Sequence, residues 1–341
     1  LSIRRQRQMC IRDRLHIRNH DRPVTIREVG ARRRMYPWPQ PANVQSSDPL
    51  LQKLFDASVN TLNNSAHEHI CDGMGRERQQ YSGDCGHQLQ AIRFVFGETR
   101  QPARFLKTFS QGMTLDGYFL DCWPAFDRLA RIIQRQMGTT VWGPLLDHGI
   151  GFNFDCWLHY METGDKSALE EPYPRLLKFA RYLQSIMRDD GMLPVENIGV
   201  PAVWMDHHAY KKQRHKKCAF NLYFAGALKN ALAPMARVFG DTSYASQFEE
   251  LAGDILADTV RTFAIPIEPF RRLLTAFRMD VHFTGFPTFE DVRHYCVHSA
   301  NPVGHLVLHL FGHQDAERQA LSDDICTALQ LTNFWQDVAI D

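Results

Sequence analysis

The sequence predicts an all-α protein, and two observations carry this prediction. Apolar residues recur at helical spacing through most of the chain after residue 47, and the connections between the helical segments are long, polar and marked by Gly and Pro. Paired helices joined by such loops are typical of an α/α toroid, in which the helix ends on one side carry the chemistry. Any other all-α bundle stays open as an alternative, because periodicity does not separate the two.

Length and composition place few limits on the function. The 341 residues suffice for one large domain or two ordinary ones, and 44% hydrophobic residues, 23% charged residues and a net charge of +1 are ordinary for a globular protein. No whole-chain charge points to nucleic acid, and the longest apolar stretches are too short for a transmembrane segment. Eight cysteines without a C-x-x-C pair predict reduced thiols and a cytoplasmic protein.

The first residues read differently from the rest. Residues 1–34 hold eleven arginines, and residues 1–14 (LSIRRQRQMCIRDR) have neither helical nor strand periodicity and resemble translated sequencing-adapter text. We expect residues 1–16 to be an artefact or a disordered leader, with a solvated basic arm or a functional basic patch as alternatives. Residues 17–46 are proline-rich and predict the end of a β element and a linker.

Helices dominate from Asp48, which is a predicted N-cap followed by Pro49 in the first turn. Further predicted helices are His87–Phe96, Pro124–Met137, Gly151–Thr163, Lys166–Met187, Cys218–Phe239 and Tyr244–Thr262. The pairs Gly164-Asp165 and Gly240-Asp241 each end one of them, which suggests a repeated helical hairpin. Residues 263–267 then interrupt the pattern, and the predicted helices Glu268–Met279, Thr288–Leu310 and Asp315–Ile340 follow.

An acidic, glycine-rich stretch carries the first candidate chemistry. Its sequence DGMGRERQQYSGD places Asp72, Glu77 and Asp84 within thirteen residues. Cleavage of a glycosidic bond needs one carboxylic acid to protonate the leaving oxygen and, in an inverting enzyme, a second carboxylate to activate water. Neighbouring acids would raise the pKa of Glu77, whereas Arg76 and Arg78 would lower it. Composition alone favours a solvent-exposed loop with salt bridges over a catalytic site.

The stretch resembles the entry to the catalytic six-hairpin domain of bacterial α-L-rhamnosidases, whose motif reads approximately D-C-P-Q-R-E-R-x-G-W-x-G-D. The resemblance spans about residues 17–254 and implies that Glu77 is the general acid. It implies a substrate-binding set of Asp72, Arg76, Tyr81, Asp84, Trp142, Asp147, Trp204 and Asp206. Both tryptophans could equally be core residues. Gly73-Met74-Gly75 and Tyr81 depart from the motif, which weakens sugar stacking.

The same resemblance also implies that the general base is absent. In this family the general-base glutamate lies beyond the point at which the present sequence changes character. We therefore expect an incomplete (α/α)6 toroid over residues 47–255 that is almost inert as a hydrolase, because each acid or base partner contributes roughly 10²- to 10⁴-fold in rate. The hydrolase part implies no cofactor. His67 and His69 could suggest zinc, but alternate residues on a helix diverge and no third ligand is evident.

The C-terminal helix carries the second candidate chemistry. Asn333, Asp337 and Asp341 follow one another at intervals of four, so they share one helix face. Stacked oxygen ligands can hold Mg²⁺, which neutralises a diphosphate leaving group. A charged helical stripe is the alternative, although the flanks are apolar here.

This tail resembles the second aspartate-rich motif of squalene/phytoene synthases, closest to the hydroxysqualene-forming branch. The likeness covers about residues 257–341 and includes Tyr295-Cys296 and Ser299 to Gly304. It implies a partial isoprenoid-synthase helical bundle over residues 256–341. Its implied ligands for Mg²⁺ and diphosphate are Gln330, Asn333, Asp337 and Asp341, with Asp337 and Asp341 on the metal. The family's first D-x-x-x-D helix is missing from the expected position upstream.

Three functional hypotheses follow. The chain is a rhamnosidase-like glycoside hydrolase fragment acting on a rhamnose-containing glycoside, or a prenyltransferase fragment acting on a prenyl diphosphate, or a chimera of two bacterial enzymes with no turnover. A non-enzymatic helical interaction protein would show neither activity.

Overall fold

The computed structural model describes residue 25 and residues 35–73, 79–124, 145–195, 203–205 and 216–338, with side chains up to residue 335. The described part is all-α, as predicted, and its only β pairings are three isolated bridges. The helices are α1 Pro49–Ser65, α2 Ser82–Phe96, α3 Arg100–Ser110, α4 Leu146–Thr163, α5 Pro172–Ser185, α6 Lys216–Ala227, α7 Ala233–Phe239, α8 Thr242–Thr262, α9 Glu268–Val281, α10 Phe289–Ser299, α11 Asn301–Leu310 and α12 Ala316–Val338. A 3₁₀ turn, Lys166–Leu169, precedes α5, and a π-helical turn, Leu228–Leu232, joins α6 to α7.

Local sequence signals place several helix ends correctly. The Asp48 side chain accepts hydrogen bonds from the Leu50 and Leu51 backbone N–H groups, which confirms the predicted N-cap of α1. Gly164 and Gly240 end α4 and α7 in the left-handed conformation, with φ of 68° and 83°. Glycine adopts this conformation without steric cost, so both predicted helix breaks are confirmed.

Three helix predictions need correction. The expected single helix Lys166–Met187 divides because Pro172 starts α5 anew, and the expected helix Thr288–Leu310 divides at Ala300, one residue before α11 begins. The third correction is α3, which went unpredicted although it buries Phe105 and Phe109. The predicted helix Pro124–Met137 and most of the β element in residues 17–46 lie outside the described residues.

The chain divides into two compact units, and unit 1 holds the first candidate site. Unit 1 comprises residues 1–186, 195–204 and 226–249. Its core is aromatic: the buried Phe152 ring lies 4.8 Å from the Phe109 ring centroid and 5.4 Å from that of Phe119, which in turn contacts Phe179 at 5.2 Å. Such aromatic contacts stabilise a core beyond the area that they bury. This core anchors α3, α4 and α5 to one another.

Unit 2 comprises residues 187–194, 205–225 and 250–341. A fully buried Asn221 joins two of its segments, because its Oδ1 accepts a hydrogen bond from the Leu193 N–H at 2.7 Å and its Nδ2 donates to the Leu193 carbonyl at 3.1 Å. Helices α9 to α12 pack against one another in the remainder of the unit. Within the described residues, no helix is long and apolar enough to cross a membrane.

Candidate active site

The acidic stretch is closed at its base by a reciprocal pair of hydrogen bonds. The Asp72 N–H donates to the Gln79 carbonyl, and the Gln79 N–H donates to Asp72 Oδ1, both at 2.9 Å. One Asp72 carboxylate oxygen therefore holds the beginning of this stretch against Gln79. The predicted acid Glu77 and its neighbour Arg76 lie outside the described residues.

The second half of this stretch is held by a buried glutamine that the sequence did not single out. Gln80 is 1% exposed, and its Nε2 donates to the Trp123 carbonyl at 2.6 Å and to Thr108 Oγ1 at 3.2 Å. The Trp123 N–H donates back to the Gln80 carbonyl at 3.2 Å, and Tyr81 forms a β-bridge with Cys122. Tyr81, the predicted stacking residue, is thus fixed at the N-cap of α2.

The N-terminal ends of α2 and α4 meet directly. Ser82 Oγ donates to the His148 carbonyl at 3.1 Å. A Cβ atom at Gly83 would lie only 2.8 Å from His148 Nε2, so the His148 ring would have to move to admit any larger residue. The two helices continue side by side, because Gly86 lies against Asp155 and Arg93 pairs with Glu162 further along. Both helices therefore begin at the same place and run in parallel.

This junction gathers several of the predicted sugar-binding residues. Asp84 lies in the first turn of α2, and Asp147 lies in the first turn of α4. The buried Asp147 accepts a hydrogen bond from the Trp204 N–H at 2.8 Å, which brings Trp204 to the same helix start. Carboxylates at helix N-termini are stabilised by the helix dipole. Trp142 and Asp206, the other members of the predicted pairs, lie outside the described residues.

A buried thiol shows that Asp72 and Asp84 share one neighbourhood. Burial raises the pKa of Cys85 well above its usual value, and the nearby Cys71, Asp84 and Asp72 raise it further. Both carboxylates therefore lie within electrostatic reach of the same sulfur atom.

A second polar cluster lies behind the junction, between α2 and α4. Burial raises the pKa of Asp155 to about 7, although the Arg93 guanidinium opposes this shift. Arg93 pairs with Glu162, and the buried His159 has its pKa lowered by burial and then by Arg93. Sequence reasoning missed this cluster. The spacing of Gly83 and Gly86, one helical turn apart on α2, was the available signal for close helix packing.

This arrangement suits a hydroxyl-rich ligand. Asp72 and Asp147 each accept a hydrogen bond from a backbone N–H, which fixes the orientation of both carboxylates. The structure corrects the expectation that His67 and His69 lie on a helix, since α1 ends at Ser65 and the two rings meet edge to face, 5.4 Å apart, in a turn. Among the described residues, no cluster of His, Cys, Asp and Glu could hold a metal ion.

Comparison with known families decides the identity of this region. The model of the bacterial α-L-rhamnosidase six-hairpin glycosidase domain matches residues 39–266, about two-thirds of the chain. The chain belongs to this rhamnosidase family. A rhamnosidase from Klebsiella oxytoca, solved with rhamnose bound, has a similar fold, with a TM-score of 0.55 and 17% identity over 88% of this chain and 56% of that one. The rhamnosidase-like part of the chain contains the whole α2–α4 junction.

The second candidate site, on α12, is only partly described. Gln330 is partly exposed and Asn333 is exposed, whereas Asp337 is described by its backbone alone and Asp341 lies outside the described residues. The helix continues through Val338, so Asn333 and Asp337 stand one turn apart, as predicted. Polar contacts join α12 to α11: Thr327 Oγ1 donates to Asn301 Oδ1 at 3.0 Å, and His305 Nε2 lies 2.8 Å from Asp323 Oδ1.

The tail matches a different family from the rhamnosidase-like part. The squalene/phytoene synthase family model matches residues 201–341. Hydroxysqualene synthase from Rhodopseudomonas palustris is 45% identical over 69 residues, 20% of this chain and 23% of that protein. Phytoene synthase from Mycobacterium bovis is 35% identical over 86 residues, 25% of this chain and 28% of that protein. The matched segment thus spans about a quarter of the length of these relatives.

Proposed function

We propose that unit 1 carries the acid-donating and sugar-binding half of an inverting α-L-rhamnosidase-type site. The observation that supports this most is the meeting of the α2 and α4 N-termini, which gathers Asp84 and Asp147 beside Asp72 and Trp204. Carboxylates and indoles are groups that bind a sugar ring, the former through its hydroxyls and the latter through its apolar face. The ligand is a rhamnose-containing glycoside.

Glu77 is the general acid in this proposal. It protonates the leaving oxygen as the bond from that oxygen to the anomeric carbon breaks, while a water molecule adds from the opposite face and gives its proton to a base. Asp72, Asp84 and Asp147 hold the sugar hydroxyls and orient the ring. The general base is the missing member, so turnover with water is slow and binding is retained.

Azide separates the missing base from the acid, because it attacks the anomeric carbon without giving up a proton. With phenyl α-L-rhamnoside, we expect slow phenol release in buffer, faster release with azide, and a rhamnosyl azide of inverted configuration. Glu77→Gln should lower the azide-stimulated rate by about 10²- to 10⁴-fold, because phenol is a poor leaving group that needs the proton.

The matched control is Glu170→Gln, which changes an exposed acid of unit 1 and should leave the rate unchanged. Two results would overturn the proposal: no rhamnose binding in equilibrium titrations of the full chain, or equal azide-stimulated rates for Glu77→Gln and the parent protein.

The second candidate function is Mg²⁺-dependent use of a prenyl diphosphate, supported by the synthase match over residues 201–341. Gln330 and Asn333 offer oxygen atoms on α12, a donor type that suits Mg²⁺, and Asp337 and Asp341 would complete the set. Bound Mg²⁺ would neutralise the diphosphate leaving group. This function predicts that the parent protein consumes farnesyl diphosphate and that Asn333→Ala does not. If the protein neither consumes farnesyl diphosphate nor releases phenol from the rhamnoside, the chain is a chimera without turnover.

A reducing, cytoplasmic location completes the proposal. All seven described cysteines are free, and six of them are buried. Free buried thiols are ordinary in reducing compartments and uncommon in secreted proteins.

A further inference from the structure

A cavity lies beside the acidic stretch and takes no part in the proposed chemistry. It has a volume of about 120 Å³ and lies between α3 and the two segments that flank Asp72 and Glu77 in the sequence. Ile70 and Phe105 form apolar walls, and Gln80, Gln101, Arg104 and Thr108 contribute polar groups. At roughly 30 Å³ for each molecule of liquid water, the space corresponds to about four waters.

One acceptor in this cavity is buried without a donor. Gln101 is 3% exposed, and its Nε2 donates to the His67 carbonyl at 3.5 Å. Its Oε1 has no hydrogen-bond partner within the described part of the chain. A buried acceptor left unpaired costs roughly 1–3 kcal/mol, so a donor inside the cavity would relieve this penalty.

The other polar groups decide which donor fits. Thr108 Oγ1 donates to the Arg104 carbonyl and Gln80 Nε2 donates to Thr108 and Trp123, so the donors of these two side chains are already used. The exposed Arg104 guanidinium makes no hydrogen bond or ion pair with any described side chain, and it supplies donors at the same cavity. The cavity therefore has the unpaired Gln101 oxygen and the Arg104 donors in its wall.

A hydroxyl group satisfies both ends, because it donates and accepts. An anion would pair with Arg104 but would meet the unpaired Gln101 oxygen and the Glu68 carboxyl group, which also lines the cavity. An apolar molecule would leave Gln101 unpaired. We propose that this cavity is an accessory binding site for a small neutral polyol or for the vicinal diol edge of a sugar residue. Its use as a subsite for a second sugar of the glycoside rests on the proposed function.

Ligand-observed saturation-transfer NMR with erythritol, a four-carbon polyol, tests the proposal on the full chain. We expect saturation transfer to erythritol in the parent protein and a roughly tenfold weaker affinity in Arg104→Met, which removes charged donors from an exposed side chain. Gln101→Leu should weaken binding similarly, with its fold verified by circular dichroism. Lys107→Met is the control, because this exposed lysine of α3 pairs with Glu171 and should not affect binding.

Three outcomes would overturn the proposal: no transfer to erythritol, equal transfer in Arg104→Met and the parent protein, or displacement of erythritol by a lower concentration of acetate. Glu77→Gln separates this site from the proposed hydrolase. It should keep erythritol binding while losing azide-stimulated phenol release, so a failure of one proposal leaves the other to its own test.

Discussion

At the scale of single residues, buried amide side chains hold the backbone of both units. Gln80 ties the second half of the acidic stretch to Trp123 in unit 1. Asn221 pairs with both backbone groups of Leu193 in unit 2. Each amide satisfies buried backbone groups that water cannot reach, and such pairing is the condition for burying irregular chain segments.

Asn221→Ala should destabilise the protein by roughly 3 kcal/mol, because one buried N–H and one buried carbonyl of Leu193 lose their partner. Urea unfolding measured by circular dichroism gives the change in the free energy of unfolding. Asn230→Ala, at an exposed position, is the control and should change stability by less than about 0.5 kcal/mol. An equally small change in Asn221→Ala would show that Leu193 is hydrated in solution.

At the scale of elements, the parallel pair of α2 and α4 determines where the candidate site forms. Gly83 and Gly86 allow the helices to approach, and the close approach partly buries Asp155 near Arg93. Asp155 is partly buried, and the loss of solvent around its carboxyl group disfavours the charged form, which is why its pKa rises to about 7. The stability of this helix pair is therefore linked to pH near neutrality.

The sign of this linkage follows from the raised pKa. Between pH 3.8 and about 7, folded Asp155 keeps a proton that the unfolded chain releases, so the free energy of unfolding contributed by Asp155 falls as pH rises through this window. Asp155→Asn removes this contribution. The free energy of unfolding of the variant minus that of the parent protein should therefore rise between pH 4.5 and pH 8, by an amount on the order of 3 kcal/mol.

Chemical denaturation at a series of pH values measures this difference. Asp116→Asn, which changes an exposed acid of unit 1, is the control and should follow the parent protein at every pH. If the Asp155→Asn difference is constant from pH 4.5 to 8, Asp155 titrates at an ordinary pKa and the linkage is wrong.

At the scale of the whole molecule, the two units differ in how they bury apolar residues. Unit 1 has a closed aromatic core around Phe152. In unit 2, α12 turns polar residues such as Asp323 and Thr327 towards α11. Its apolar residues Leu321, Ile325, Leu329 and Trp335 form a stripe, and each is more than half exposed. Apolar stripes of this kind bind hydrophobic dyes and promote self-association.

Replacing Ile325 and Leu329 together with Ser should lower the binding of a hydrophobic dye to the folded protein, because the stripe loses its two central side chains. Dye fluorescence and light scattering in native buffer measure the effect, and Asn333→Ser is the polar control on the same helix. Stability should change by less than about 1 kcal/mol for two exposed positions. A large loss of stability would show that the stripe is buried in solution.

The sequence by itself determined the local features of this protein. The Asp48 N-cap, the Gly164 and Gly240 helix ends and the acidic motif with its family likeness all depend on neighbouring residues, so spacing and residue type suffice to predict them. Only the tertiary structure decided which helix starts meet, that Asp155 loses solvent and that α12 turns polar residues towards α11. These features depend on contacts between residues far apart in the chain, and burial then alters pKa values and hydrogen bonding in ways that local sequence does not encode.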